Sequence, residues 1–193
     1  VARKTWGFFE RFVGPEDNWL PPDNFQHHPT PVIAHHTSPT NIGLSLLANL
    51  TAHDFGYIYT DQFLERTSNT INTVKKLERY RGHLYNWYHT QSLQPLPPKY
   101  ISTVDSGNFA GHLLTLRQGI FELIHQAVAN PKIFDGLLDT FRVLEEAMNQ
   151  EDGTIFLEFT SILETERNIK SPTLDGIHNS LTRLQTSYES AVE

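Results

Sequence analysis

The chain has 193 residues, a mass of 22.1 kDa and 38% hydrophobic residues, which suits one domain, or at most two small ones, with enough apolar material for a core. Its net charge of −7 disfavours a nucleic-acid partner, and the lack of cysteine excludes disulfides, thiolate zinc sites and a cysteine nucleophile. No apolar run approaches a membrane span and no signal peptide is recognisable. The sequence opens on Val1 without methionine, and the expectation is a piece of something longer.

The charge is uneven. Residues 1–110 hold nine basic and nine acidic side chains, whereas 111–193 hold six and thirteen. All three tryptophans, seven of ten histidines and nine of eleven prolines also fall in the first 110. A neutral, aromatic, loop-rich part therefore precedes an acidic helical part. Functional residues concentrate on loops held by a scaffold, so the first part is where a site is sought.

In chain order, Trp6, Phe9 and Phe12 place a helix over 2–13, ended by Gly14-Pro15. A long loop over 14–36 follows, with Trp19, Leu20, Phe25, Val32 and Ile33 available to pin it down. Ser38-Pro39 starts a helix to His53, with Ile42, Leu46 and Leu50 on one stripe. The next helix spans 61–80, with Phe63, Ile71, Val74 and Leu77 inward and Lys75, Lys76, Arg79 and Arg81 near its C-terminus. A second long loop covers 83–104, where Leu84–Tyr88 and Tyr100–Val104 have the composition of a short hairpin. Asp105 or Ser106 then caps a helix to Ala129 that is apolar on two faces and so reads as buried. Three more helices are predicted over 130–150, 153–166 and 171–191, which makes seven and no βαβ unit. The class is all-α, an array of helical hairpins.

Four features could carry chemistry. Trp19, Asp23, Asn24, Tyr85, Asn86 and Trp87 combine flat rings with two-pronged polar groups, as carbohydrate pockets do. Tyr88, Asp105, Ser106 and Asn108 extend the same set. The competing reading is that these aromatics only pack the loops onto the helices. His27-His28 and His35-His36 invite a metal, but adjacent residues rarely share an ion and no H-E-x-x-H pattern occurs, so solvated loop histidines are favoured and no metal is expected. Asp23 and Asp105 are the acidic residues set in uncharged loops, and glycosyl chemistry needs two carboxyl groups about 5 to 9 Å apart. Capping is the alternative role for Asp105. Gly107-x-x-x-Gly111 is expected to allow close helix packing, and Glu145, Glu146, Glu151 and Asp152 read as a solvated surface.

A longer set of words then becomes apparent. It includes Thr-Trp-Gly-Phe-Phe-Glu-Arg-Phe-Val (5–13), Pro-Glu-Asp-Asn-Trp-Leu-Pro-Pro-Asp-Asn (15–24) and His-Thr-Ser-Pro-Thr-Asn-Ile-Gly-Leu (36–44). Asp-Phe-Gly-Tyr-Ile (54–58), Arg-Tyr-Arg-Gly-His-Leu-Tyr-Asn-Trp-Tyr (79–88) and Ser-Thr-Val-Asp-Ser-Gly-Asn-Phe-Ala-Gly-His-Leu (102–113) continue it. In that order they resemble the glucoamylase-like domain of bacterial cyclic β-1,2-glucan synthases, over about residues 5–113. The family departs from this chain in commonly carrying Arg at the position of His36 and Asp at that of His89.

The resemblance implies an (α/α)6 toroid of which the whole of 1–193 is a part, with 1–113 bearing the site loops and 114–193 the acidic helices. It implies a large membrane-anchored parent, on the cytoplasmic side of the inner membrane, in which this domain cyclises β-1,2-glucan by transglycosylation. The glutamates that the family is thought to use have no matching motif in 114–193, so a complete catalytic site is not expected in this fragment. The loops 19–24, 37–41, 85–88 and 105–108 would line the glucan end, which adds Thr40 and Asn41 to the binding set. The partners implied are β-1,2-glucan and the rest of the parent chain, with self-association through exposed inner helices. No cofactor is implied. Two other readings remain open: a non-catalytic helical module for sugar or protein, and a glycoside hydrolase using Asp23 and Asp105.

Overall fold

The computed structural model describes residues 1–126, 130–147, 156–168 and 173–192. Among them are seven helices: α1 (Ala2–Phe12), α2 (Pro39–Asp54), α3 (Thr60–Lys76), α4 (Thr103–Leu123), α5 (Lys132–Glu145), α6 (Leu157–Glu166) and α7 (Leu174–Val192). Six two-residue strands lie in the long loops: β1 (Phe25–Gln26), β2 (Val32–Ile33), β3 (His36–Thr37), β4 (Arg79–Tyr80), β5 (His83–Leu84) and β6 (Tyr88–His89). The all-α class holds. No helix among the described residues is long and apolar enough to cross a membrane. The chain divides into two compact units, one of residues 5–51 with 60–124, the other of 1–4 and 52–59 with the described part of 125–193.

The first unit carries the long loops. Its core gathers Leu20, Ile42, Val74, Leu77, Leu84 and Tyr88, with Tyr85, Leu93 and Phe109 packed against them. After α1 the chain makes a 3-10 turn (Pro15–Asp17) and then holds Asn18 and Trp19 in left-handed backbone, at φ 53° and 61°. That conformation is uncommon for residues other than glycine, and here it is fixed from several sides. Thr73 Oγ1 donates to the Asn18 carbonyl (2.7 Å), Thr70 Oγ1 to the Trp19 carbonyl (2.9 Å), and Asn18 Nδ2 to the carbonyls of Thr90 and Gln91. Phe25 anchors the first loop on Phe12, with ring centroids 4.8 Å apart, while Val32 is exposed rather than a pin.

Several local expectations are corrected. The third helix stops at Lys76 instead of residue 80, because Arg79–Tyr80 is drawn into an antiparallel hairpin with His83–Leu84. Arg81 and Gly82 both have positive φ there (50° and 88°), as a two-residue turn of this hand requires. The Arg79 guanidinium still serves the helix end, donating to the Val74 carbonyl at 3.1 Å. Leu84–Tyr88 does not form a hairpin with Tyr100–Val104. Instead β6 pairs with β3, setting His36 opposite His89 and Thr37 opposite Tyr88, and Asn86 N donates to the Tyr100 carbonyl (2.9 Å).

α4 is capped by Ser102, whose hydroxyl accepts from Asp105 N (3.1 Å), and not by Asp105 or Ser106. Nor is α4 buried on two faces. Leu116 is its buried residue, whereas Val104, Leu114, Phe121 and Ile124 are exposed. Gly107 and Gly111 look onto open space. Close helix approach occurs at other glycines. A Cβ on Gly43 of α2 would fall 2.3 Å from His112 Nδ1, and one on Gly119 of α4 would fall 2.4 Å from Leu50 Cδ2.

In the second unit α5, α6 and α7 pack around Phe134, Leu138, Phe141, Phe156, Leu163 and Leu184. Gly56, at φ 71°, lies against the start of α5, where a Cβ on Gly136 would meet the Gly56 carbonyl oxygen at 2.1 Å. Glu145 and Glu146 are exposed, as a solvated face requires, while Glu151 and Asp152 lie outside the described residues. α4 ends at Leu123 and α5 at Glu145, short of the residues 129 and 150 that the sequence assigns to their ends, while the predicted starts near 153 and 171 lie outside the described residues. Glu166 is buried, accepting from Ser180 Oγ (2.7 Å) and from Arg183.

Candidate functional site

Two helix N-termini and two loops converge in the first unit. Ser38 caps α2, its hydroxyl accepting from Asn41 N at 3.2 Å, so Thr40 and Asn41 occupy the first turn. Ser102 caps α4 in the same way, which leaves the Asp105 carboxylate for other partners. Thr40 Oγ1 donates to Asp105 Oδ1 (2.6 Å), and Asn108 Nδ2 donates to Thr40 Oγ1 (3.2 Å). The other Asp105 oxygen, Oδ2, accepts from the Asn86 amide nitrogen (3.0 Å). The Asn86 amide oxygen in turn accepts from the Tyr100 hydroxyl (2.8 Å) and from the Trp87 indole N–H, the orientation that satisfies both ends of this buried amide.

Asp23 forms the second node. The extended stretch at the foot of β1 and β2 places it, with Asp23 N donating to the Ala34 carbonyl and Ala34 N to the Asn24 carbonyl. Its Oδ1 accepts from Asn41 Nδ2 and its Oδ2 from Asn24 Nδ2, both at 2.9 Å. His36 Nε2 lies 3.9 Å from Oδ2, and the His36 ring stands edge-on to Trp87 with centroids 5.0 Å apart. A chain of contacts thus runs from Asn24 through Asp23, His36, Trp87 and Asn86 to Asp105, Thr40 and Asn108.

The chemistry of this face is acceptor-rich. All four carboxylate oxygens take bonds from neutral amides and a hydroxyl, and a carboxylate has about four lone-pair sites to offer. Each can therefore accept further hydroxyl donors beside the ring of Trp87. The two helix N-termini favour negative charge here. Among the described residues no group of three or more His, Asp or Glu is arranged to hold a metal ion.

The predicted residues divide accordingly. Asp23, Asn24, Thr40, Asn41, Asn86, Trp87, Asp105 and Asn108 come together. Tyr88 does not join them: it is fully buried, and its hydroxyl donates to the Glu78 carbonyl and accepts from Tyr85 N, each at 2.7 Å. Tyr85 packs on the same core beneath Lys99. Trp19 lies against the Arg66 guanidinium at 5.7 Å. Ser106 faces a separate cleft with Pro39, Leu84 and Phe109.

Tyr100, His35, His36 and Asp17 are absent from the set that the sequence selects. Tyr100 gives no signal beyond being an aromatic in a loop. His36 is part of a pair assigned to solvent. His27 and His28 are exposed as expected, but His36 touches Asp23 and Trp87, and His35 Nδ1 lies 2.8 Å from Asp17 Oδ1. Asp17 is buried, accepts also from Thr90 Oγ1, and ties the first loop to the second. Its setting, an acid before Asn-Trp in a Pro-rich turn, was the available hint.

No protein-family model matches the chain. It is 46% identical over 151 residues, 78% of its length, to "Cyclic beta-(1,2)-glucan synthase NdvB" of Rhizobium meliloti (strain 1021). The chain spans about 5% of the length of that relative. Identity at this level over most of the chain establishes common descent: the chain is a relative of the cyclic β-(1,2)-glucan synthases, matching one small part of such a protein.

Proposed function

We propose that this chain is part of a glucoamylase-like (α/α)6 toroid in a larger synthase, and that its loop face binds β-1,2-glucan for cyclisation by transglycosylation. The observation that carries the reading is the convergence of Asp23, Asn41, Asn86, Asp105 and Thr40 beside Trp87. Acceptors and amides at fixed spacing suit the repeated hydroxyls of a neutral polymer, and the indole suits a pyranose ring.

In the reaction proposed for the parent, the C1–O2 bond of an internal β-1,2 linkage breaks. C1 re-bonds to the O2 hydroxyl at the chain's own far end, and that hydroxyl's proton passes to the released oxygen. Such exchange calls for a nucleophile and an acid/base group. In this reading the face described here holds and orients the glucan while those groups come from elsewhere in the parent. The exposed Leu114 and Phe121 of α4, with Ile124 at its C-cap, are then the inner-ring surface that further helices of the parent cover.

The test is to incubate the 193-residue chain with linear β-1,2-glucan and follow both binding and products. Binding without turnover is the expected result. Shortened products that vanish in Asp105→Asn would assign the hydrolase reading instead. Failure to bind β-1,2-glucan, with tight binding of a different polymer or a protein, would assign the module to another ligand.

A further inference from the structure

A cleft of about 170 Å³ opens between the β4–β5 hairpin and the N-terminal half of α4. Its floor is apolar, made by Leu84 and Phe109, Leu113 and Ser106 line it further, and the exposed Ala110, Arg79 and His83 stand at its rim. Leu84 and Phe109 belong to the packed core of this unit, so the floor is preformed. The Arg79 guanidinium is steadied by the bond from its Nη2 to the Val74 carbonyl at 3.1 Å. Arginine has five N–H donors, so most of its capacity remains for a ligand. An apolar bed with donors at the rim matches a pyranose ring, whose C–H face is apolar and whose edge is ringed with hydroxyls.

The cleft is continuous in sequence with the carboxylate face. Along α4, Asp105 and Asn108 join that face while their neighbours Ser106 and Phe109 line the cleft. At the start of α2, Thr40 joins the face while Pro39 lines the cleft. The face and the cleft are thus lined by neighbouring residues of the same first turns of α2 and α4.

We infer that this cleft is a further subsite, taking one glucosyl ring of the same glucan chain that the Asp23–Asp105 face holds. The inference rests on the glucan reading. A disaccharide occupies the face alone, and longer chains extend into the cleft. Apolar protein contacts from another copy of the chain would use the floor but not the polar rim.

The experiment is calorimetric titration of the full chain with β-1,2-linked oligosaccharides of increasing length, using the wild type and Ala110→Trp. Ala110 is exposed, so the larger ring fills the cleft without entering the core. Affinity in the wild type is expected to rise about tenfold once the oligosaccharide spans both sites. Ala110→Trp is expected to abolish that gain and leave disaccharide affinity unchanged. Equal length dependence in both proteins would overturn the inference while leaving the glucan reading intact. No binding of any β-1,2 oligosaccharide to the wild type would overturn both. As a check independent of the variant, the His83 ring resonances of the wild type should shift with long oligosaccharides and not with the disaccharide. Shifts that follow protein concentration instead of sugar would overturn the inference and give the cleft to a second copy.

Discussion

Arg66 is the fastening point of the loop-bearing unit, and its replacement should show how far the site loops depend on it. From α3 its Nη2 donates to the carbonyls of Phe9 (2.8 Å) and Val13 (3.1 Å) at the end of α1, and its Nε donates to Asn49 of α2 at 3.3 Å. Its guanidinium also lies over the rings of Trp6 (5.1 Å) and Trp19 (5.7 Å). Burial pushes its pKa down, so the charge is held in place by these partners at some desolvation cost. Truncating a charged donor costs about 1.5–3 kcal/mol per bond, and each cation–π contact about 0.5–1 kcal/mol. Relief of the guanidinium's desolvation offsets part of this. Arg66→Met keeps much of the stem's volume and is expected to destabilise the unit by about 3 kcal/mol, since the Val13 carbonyl loses this partner.

All three tryptophans, Trp6, Trp19 and Trp87, lie in this unit, so their fluorescence in urea follows its unfolding apart from the other unit. The midpoint should fall by about 1–3 M for a usual denaturant slope. Arg66→Lys, which offers a point charge but no planar fork, should fall between the two. A loss below about 0.5 kcal/mol in Arg66→Met, within the scatter of ordinary surface changes, would refute this account of how α1, α2 and the first loop are joined.

Three further outcomes follow from the glycines and one tyrosine. Gly136→Ala would press its Cβ to 2.1 Å from a backbone oxygen of Gly56, which cannot rotate away, and should cost about 3 kcal/mol or more on urea unfolding followed by circular dichroism. Gly111→Ala should stabilise by about 0.5–1 kcal/mol in the same assay, because its Cβ enters open space and only the helix propensity changes. Tyr57 has its pKa raised from 10.0 to about 12, chiefly by burial and then by its hydroxyl donating to Asp139 at 2.8 Å. The folded state thus favours the neutral phenol. The stability it contributes is present below pH 10 and is lost as pH rises through about 12. Thermal melts across that window should decline less steeply in Tyr57→Phe than in the wild type.

The helices were legible where caps and stripes speak locally. Ser38-Pro39 marks the start of α2, and the Trp6, Phe9 and Phe12 stripe marks α1. The end of α3 was not legible, because a positive-φ turn at Arg81-Gly82 captures Arg79 and Tyr80 from the helical pattern. The α4 periodicity reports that Leu114 and Phe121 are apolar, which is not the same as their being covered. Local preference also misassigned the Asp105 carboxylate: Ser102 takes the cap and frees it for Thr40 and Asn86.

The candidate site was legible only as a set of words. Its contacts join residues far apart in the chain, Asp23 with Asn41, Thr40 with Asp105 and Asn86 with Asp105, and no periodicity encodes such meetings. For the same reason Trp19, Tyr85 and Tyr88 looked like sugar platforms on composition. Their partners are Arg66, Lys99 and the core. These contacts pack the three rings onto the scaffold and keep them out of the Asp23–Asp105 network.

The decisive measurement is the affinity of the chain for a linear β-1,2-gluco-oligosaccharide against its β-1,3-linked isomer, repeated in Asp105→Asn and Trp87→Ala. The expected result is preference for the β-1,2 linkage and a loss of about tenfold or more in each variant, with the fold unchanged by circular dichroism. Equal affinity for the two linkages, or undiminished binding in both variants, would contradict a glucan site built on the Asp23–Asp105 face.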